Sequence, residues 1–100
     1  MDKKELARSI VQIVANYFGV EISDVSGRCR KAEVVDCRDV LIYFLRIELG
    51  DTFTEIGDFL SKDQSTIVRA FTRARKRMKK DGSLQRDCQR IKERIKFILK

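Results

Sequence analysis

One hundred residues suffice for one domain with a single hydrophobic core, and an apolar content of 43% suits a globular chain rather than a disordered one. Proline is absent, glycine is sparse, and no apolar run nears the roughly 18 residues of a membrane span; a turn-rich β protein and a membrane-spanning one are both disfavoured. The net charge is +7, with no histidine and only three cysteines, Cys29, Cys37 and Cys88, in no C-x-x-C pair. That composition offers no metal site, no disulfide framework and no nucleophile beside a base, so neither an enzyme nor a bound cofactor is expected. The carboxylates read as solvent-facing helix positions. The cysteines read as small, partly buried thiols in a reducing compartment.

An all-α fold of about five to six helices is predicted. Leu6, Ile10, Ile13, Val14 and Tyr17 recur on one face of a helix over Lys3–Phe18, which Gly19 ends. Residues 21–26 form a connector with a single helical turn beginning at Ser23, followed by a short basic loop, GRCRK, over residues 27–31. The segment 32–49 carries Val34, Val35, Cys37, Val40, Leu41, Phe44, Leu45 and Ile47, a wide apolar surface for a more buried helix, with Gly50 as its stop. A short helix over 53–60 and a longer one from Gln64 to about Lys80 follow, the latter closed by Asp81-Gly82. Leu84, Cys88, Ile91, Ile95 and Ile98 then mark a narrow seam on a last helix over 84–99, expected to cover the domain's own core. The whole reads as a single domain, 1–100.

The stretch from Phe53 to Met78 reads as helix, tight turn and basic second helix, the layout of a helix-turn-helix whose second helix enters the DNA major groove. Two crossing helices need a small residue where they touch, and Gly57 supplies it. Ser61 lies in the turn; Ile67 and Ala70 point back onto the first helix. Thr52 and Glu55 have the spacing of a capping box, Ser61 and Gln64 repeat it, and Asp63 is a second cap candidate. Charge follows the same division. Residues 1–60 hold eight basic and eleven acidic residues, leaving −3, whereas residues 61–100 hold fourteen and four, leaving +10. A basic half that starts at the second helix is the footprint of a polyanion binder.

Four pieces in order resemble the C-terminal DNA-binding domain of the bacterial replication initiator DnaA, over about residues 10–80. They are Ile13 to Val25, IVANYFGVEISDV; Arg38 to Arg46, RDVLIYFLR; Glu55-Ile56-Gly57; and Lys62 to Ile67, KDQSTI, where the family has R-D-H-S-T-V. The resemblance implies an all-helical domain that binds a short box in double-stranded DNA. Carried over by position, Lys62, Asp63, Gln64, Ser65 and Thr66 become the base-reading set. Arg28 and Arg30, with Lys31 a lesser candidate, become the minor-groove residues, the choice between the two arginines being open. Arg69, Arg73, Lys76 and Arg77 continue one side of the helix toward phosphates. The chemistry agrees: a carboxylate accepts from cytosine, glutamine pairs with adenine in two bonds, and arginine suits a narrow A·T minor groove. Gln64 replaces the signature histidine, the glycine pair before the signature is absent, and the turn is one residue shorter. No G-x-x-x-x-G-K phosphate loop occurs, so the family's ATPase module is missing from this chain.

The leading expectation is therefore sequence-specific duplex binding in, or in regulation of, replication initiation. The partners implied are double-stranded DNA and replication-initiation or regulatory proteins, with no membrane. Nothing requires a dimer, and the expected location is the cytoplasm, at the nucleoid. A protein–protein adaptor or transcriptional regulator that uses the last helix, with only nonspecific DNA affinity, is the competing class. Nonspecific coating of single strands is a third, and it lacks the exposed aromatic platforms such binders stack bases on.

Overall fold

A computed structural model describes residues 2–99, with side chains to residue 98. Six helices follow one another: α1 Lys3–Phe18, α2 Ile22–Val25, α3 Ala32–Glu48, α4 Phe53–Leu60, α5 Gln64–Lys80 and α6 Gly82–Leu99. No strand occurs among the described residues, so the fold is all-α as expected.

The local chemistry sets the boundaries. The Asp2 carboxylate accepts the Glu5 amide at 2.8 Å and starts α1. At its other end Gly19 takes a left-handed conformation, φ 67°, and the Val20 amide reaches back to the Ala15 carbonyl at 2.9 Å. The connector's helical turn begins at Ile22, one residue before the expected Ser23, and Val25 from it is buried in the core. Asp81 is extended and breaks the chain between α5 and α6, while its Oδ1 accepts the amides of Ser83 and Leu84. The last helix therefore starts at Gly82, two residues earlier than its apolar seam suggests. Gly82 opens α6 rather than closing α5.

α3 is the hub. Val34, Cys37, Val40, Leu41, Ile42, Phe44 and Leu45 are buried on it, and it packs against α1 on one side and α5 on the other. α6 returns across α1 and α5, and Leu84, Cys88, Ile91 and Ile95 are all buried in the same core. Each fully buried isoleucine or leucine here contributes about 1.5–3 kcal/mol. The Tyr17 hydroxyl donates to Asp87 at 2.6 Å, and Arg94 lies over the Tyr17 ring, which pins α6 onto α1. The stripe of α1 is wider than expected. Ala7, Val11 and Ala15 are buried beside Ile10 and Val14, because α1 lies between α3 and α6.

The carboxylates depart from expectation. Asp39 is only 2% exposed and Asp51 only 8%, so they are not solvent-facing solubility groups. Asp39 receives Arg73 and Asp51 receives Lys3 at 2.8 Å. Ile47 departs the other way: expected in the apolar surface, it is exposed.

Candidate nucleic-acid interface

α4 and α5 form the helix-turn-helix. Thr52 and Glu55 make the expected capping box: the Glu55 amide donates to Thr52 Oγ1 at 3.1 Å, and the Thr52 amide donates to Glu55 Oε1 at 2.9 Å. α4 ends at Ser61, which sits left-handed at φ 57°, ψ 45°. The Lys62 amide donates back to the Gly57 carbonyl at 2.8 Å, closing the turn. A serine thus occupies the left-handed backbone position that glycine usually fills. Gly57 lies at the crossing. A Cβ on it would stand 2.6 Å from the Lys62 carbonyl oxygen, so only glycine lets the turn fold over α4 at this distance. Phe71 of α5 locks the crossing from the far side, against Tyr43 of α3 and Phe53 of α4.

Asp63, not Ser61, caps α5. Its Oδ1 accepts the Thr66 amide at 2.9 Å and the Ser65 hydroxyl at 3.1 Å. The Thr66 hydroxyl, the Thr66 amide and the Ser65 hydroxyl together hold the Asp63 carboxyl below its usual range. The Thr66 amide and the Ser65 hydroxyl both bond the same oxygen, Oδ1. A carboxylate has about four acceptor sites, so capping leaves Asp63 able to accept from a ligand as well. Gln64 and Ser65 are exposed beside it and Thr66 is half-buried.

The basic loop is held from beneath by Arg38. Its Nε donates to the Val25 carbonyl at 2.7 Å, and its Nη2 donates to the carbonyls of Asp24, Gly27 and Cys29 at 3.0, 3.1 and 3.3 Å. Arg28, Arg30 and Lys31 project from this clamped loop and are exposed. Lys62 connects the loop to the helix-turn-helix: its Nζ donates to the same Gly27 carbonyl at 3.0 Å. Burial, then the charges of Arg38 and Arg28, push the Lys62 ammonium below its usual pKa. Sequence reasoning gave Arg38 no role. The available signal was an arginine between Cys37 and Asp39 in the buried part of α3, a position that demands acceptors and finds them in the carbonyls of α2 and the loop after it.

The four cations expected along α5 divide. Arg69 and Lys76 are exposed, and no ion pair involves either among the described residues. Arg73 makes a two-pronged pair with Asp39, Nε to Oδ2 at 2.7 Å and Nη2 to Oδ1 at 2.8 Å, which raises its pKa. Arg77 pairs with Asp36 and, at 3.6 Å, with Asp81. Even so, all four line one shallow depression on α5 with Val68 and Thr72. Among the described residues no group of histidine, cysteine or carboxylate side chains is placed to hold a metal ion, and no helix is long and apolar enough to cross a membrane.

A short helix crossed tightly by a basic one, with a clamped basic loop alongside, defines a helix-turn-helix module. Residues 7–74 match the family described as the bacterial dnaA protein helix-turn-helix, and the chain belongs to that family. The family is that of a helix-turn-helix domain, not of a catalytic one. Relatives include the chromosomal replication initiator protein DnaA of Chloroflexus aurantiacus, 30% identical over 93 residues that cover 92% of this chain and 19% of that protein. The DnaA of Mycoplasma pneumoniae is 38% identical over 76 residues, covering 76% and 17%. That of Lactococcus lactis subsp. cremoris is 32% identical over 89 residues, covering 88% and 20%. The chain spans about a fifth of the length of these curated relatives.

Proposed function

We propose that this chain is a sequence-specific duplex DNA-binding module that acts in replication initiation or its regulation. In this reading the start of α5 enters the major groove, and Asp63, Gln64, Ser65 and Thr66 read base edges. An arginine of the basic loop enters the adjacent minor groove, and Arg69 and Lys76 meet phosphates. Arg73 and Arg77 act beside them through the N–H groups that their carboxylate partners leave over. The replication role rests on the relatives, which are chromosomal replication initiator proteins.

One observation carries the reading. Lys62, the residue just before the cap of α5, bonds the basic loop through the Gly27 carbonyl. Two groups of residues, more than thirty positions apart in the chain, are thereby fixed side by side, as reading two adjacent grooves requires. The adaptor alternative loses its motive, since the seam of α6 from Leu84 to Ile95 is spent on the domain's own core.

The test is fluorescence anisotropy with a duplex carrying a DnaA box and a scrambled duplex, each titrated across salt. Specific binding predicts a preference of about 10³ or more for the box. Equal, weak binding that collapses as salt rises would leave only the phosphate attraction and defeat the proposal. Asp63→Asn separates two roles within the same assay: asparagine caps a helix about as well as aspartate but does not present a carboxylate to cytosine. The expected outcome is an unchanged Tm with a changed base preference.

A further inference from the structure

Two sets of cations contrast in this molecule, beside others, such as Arg69 and Lys76, that stand exposed along the helices. Lys3, Arg73 and Arg77 each have a carboxylate in contact. The set around the basic loop has none: no ion pair among the described residues involves Arg28, Arg30, Lys31, Arg38 or Lys62. Within this second set, Lys62 Nζ and Arg38 Nη2 share one acceptor, the Gly27 carbonyl, at 3.0 and 3.1 Å. The two positive groups therefore stand within two hydrogen-bond lengths of each other. Arg28, the residue after Gly27, adds a third positive charge that acts on Lys62, and no carboxylate offsets it. The neighbouring Asp63 does not serve: among the described residues no ion pair joins it to Lys62, Arg38 or Arg28.

Like charges gathered at a half-buried place repel one another unless an anion joins them. An Nζ held by one carbonyl keeps two further donor hydrogens, and the Arg28 guanidinium keeps its fork for a planar pair of oxygens. The geometry points to a seat for one phosphodiester group of duplex DNA, formed by Lys62 and Arg28 over the Arg38 clamp, at the junction of basic loop and turn. This rests on the duplex-binding reading above and refines it. Lys62 becomes a phosphate ligand rather than a base reader. Arg28 is committed to the backbone, which leaves Arg30 as the arm for the minor groove.

The experiment is anisotropy with the box and scrambled duplexes across salt, for the wild-type chain, Lys62→Gln and Arg28→Gln. Each substitution is expected to weaken both duplexes by a similar factor, on the order of tenfold, and to reduce the slope of log K against log salt by about 0.9. A single uncharged methylphosphonate is then moved along the box. One position should weaken the wild type while leaving Lys62→Gln indifferent. An affinity loss with an unchanged slope, together with a lowered Tm, would make the Lys62–Gly27 bond purely structural and overturn the seat. So would a Lys62→Gln variant sensitive at the same methylphosphonate position as the wild type. If the wild type binds neither duplex, the duplex-binding reading itself falls, an outcome distinct from loss of the seat alone.

Discussion

Gly57→Ala puts the tight crossing of α4 and α5 to a direct test. Two effects oppose each other. Alanine inside a helix gains about 0.5–1 kcal/mol over glycine. Against that, the new Cβ would lie 2.6 Å from the Lys62 carbonyl oxygen and 3.7 Å from Ile67 Cγ1. Carbon and oxygen normally approach to about 3.3–3.6 Å, so the turn must retreat by most of an ångström. The obstructing atom is backbone, held by the turn that Lys62 closes onto Gly57, and cannot swing aside as a side chain would. Overpacking of this kind costs about 1–3 kcal/mol. The net expectation is a loss of about 1–2 kcal/mol, a fall in Tm on the order of 10 °C. Urea unfolding would show it as a lower midpoint with an unchanged m value. DNA affinity should fall by more than the stability loss explains, because the displaced residues are Lys62 and the Asp63 cap. Gly82→Ala is the control: no atom lies within 4 Å of the added methyl, and the variant should be as stable as the wild type or more so. A Gly57→Ala variant that gains stability as a simple helix-propensity change would refute the crossing geometry described here.

Three further outcomes follow from the same structure. Arg73→Ala strands Asp39, which is 2% exposed, and should cost about 3 kcal/mol; Asp39→Ala frees an arginine that is half exposed and can turn to water, at about 1–2 kcal/mol. Chemical denaturation of both variants decides the order, and the reverse order would contradict the asymmetry. Ser61→Gly relieves a left-handed serine and should raise stability by about 0.5–1 kcal/mol in the same assay, after the extra freedom of glycine in the unfolded chain. The pKa of Glu55 is lowered by the Thr52 amide, that of Asp63 by the Thr66 hydroxyl and that of Asp81 by the Leu84 amide. Lowered carboxylate pKa values mean stability that is present above the ordinary values of 4.5 and 3.8 and lost as pH falls through the folded ones. Unfolding midpoints measured from neutrality to below pH 3.8 should decline accordingly, and a flat profile would contradict the caps.

Helices and their caps were legible in the sequence because they are local. The bounds of α1 and α4, the Thr52–Glu55 box, the stop at Gly19 and the close approach at Gly57 each depend on residues within a few positions of one another. The apolar seam of α6 was legible too, as was the basic division that begins near Lys62. Pairings between helices were not, since periodicity places a residue on a face without naming what faces it. Arg73 and Arg77 share a side of α5 with Arg69 and Lys76, and only the packing of α3 against α5 delivers Asp39 and Asp36 to the first two. The start of α6 was misread because Asp81 and Gly82 look like a stop signal, while the Asp81 side chain in fact caps the next helix. Arg38 shows the limit most clearly. Its identity is written in the chain, but its work, gathering four carbonyls of α2 and the basic loop and meeting Lys62 at Gly27, exists only once α2, α3, the loop and the turn are brought together. Short-range hydrogen bonds and helical periodicity are encoded residue by residue; the partner of a charge is decided by the fold, because separation in space and not in sequence sets its energy.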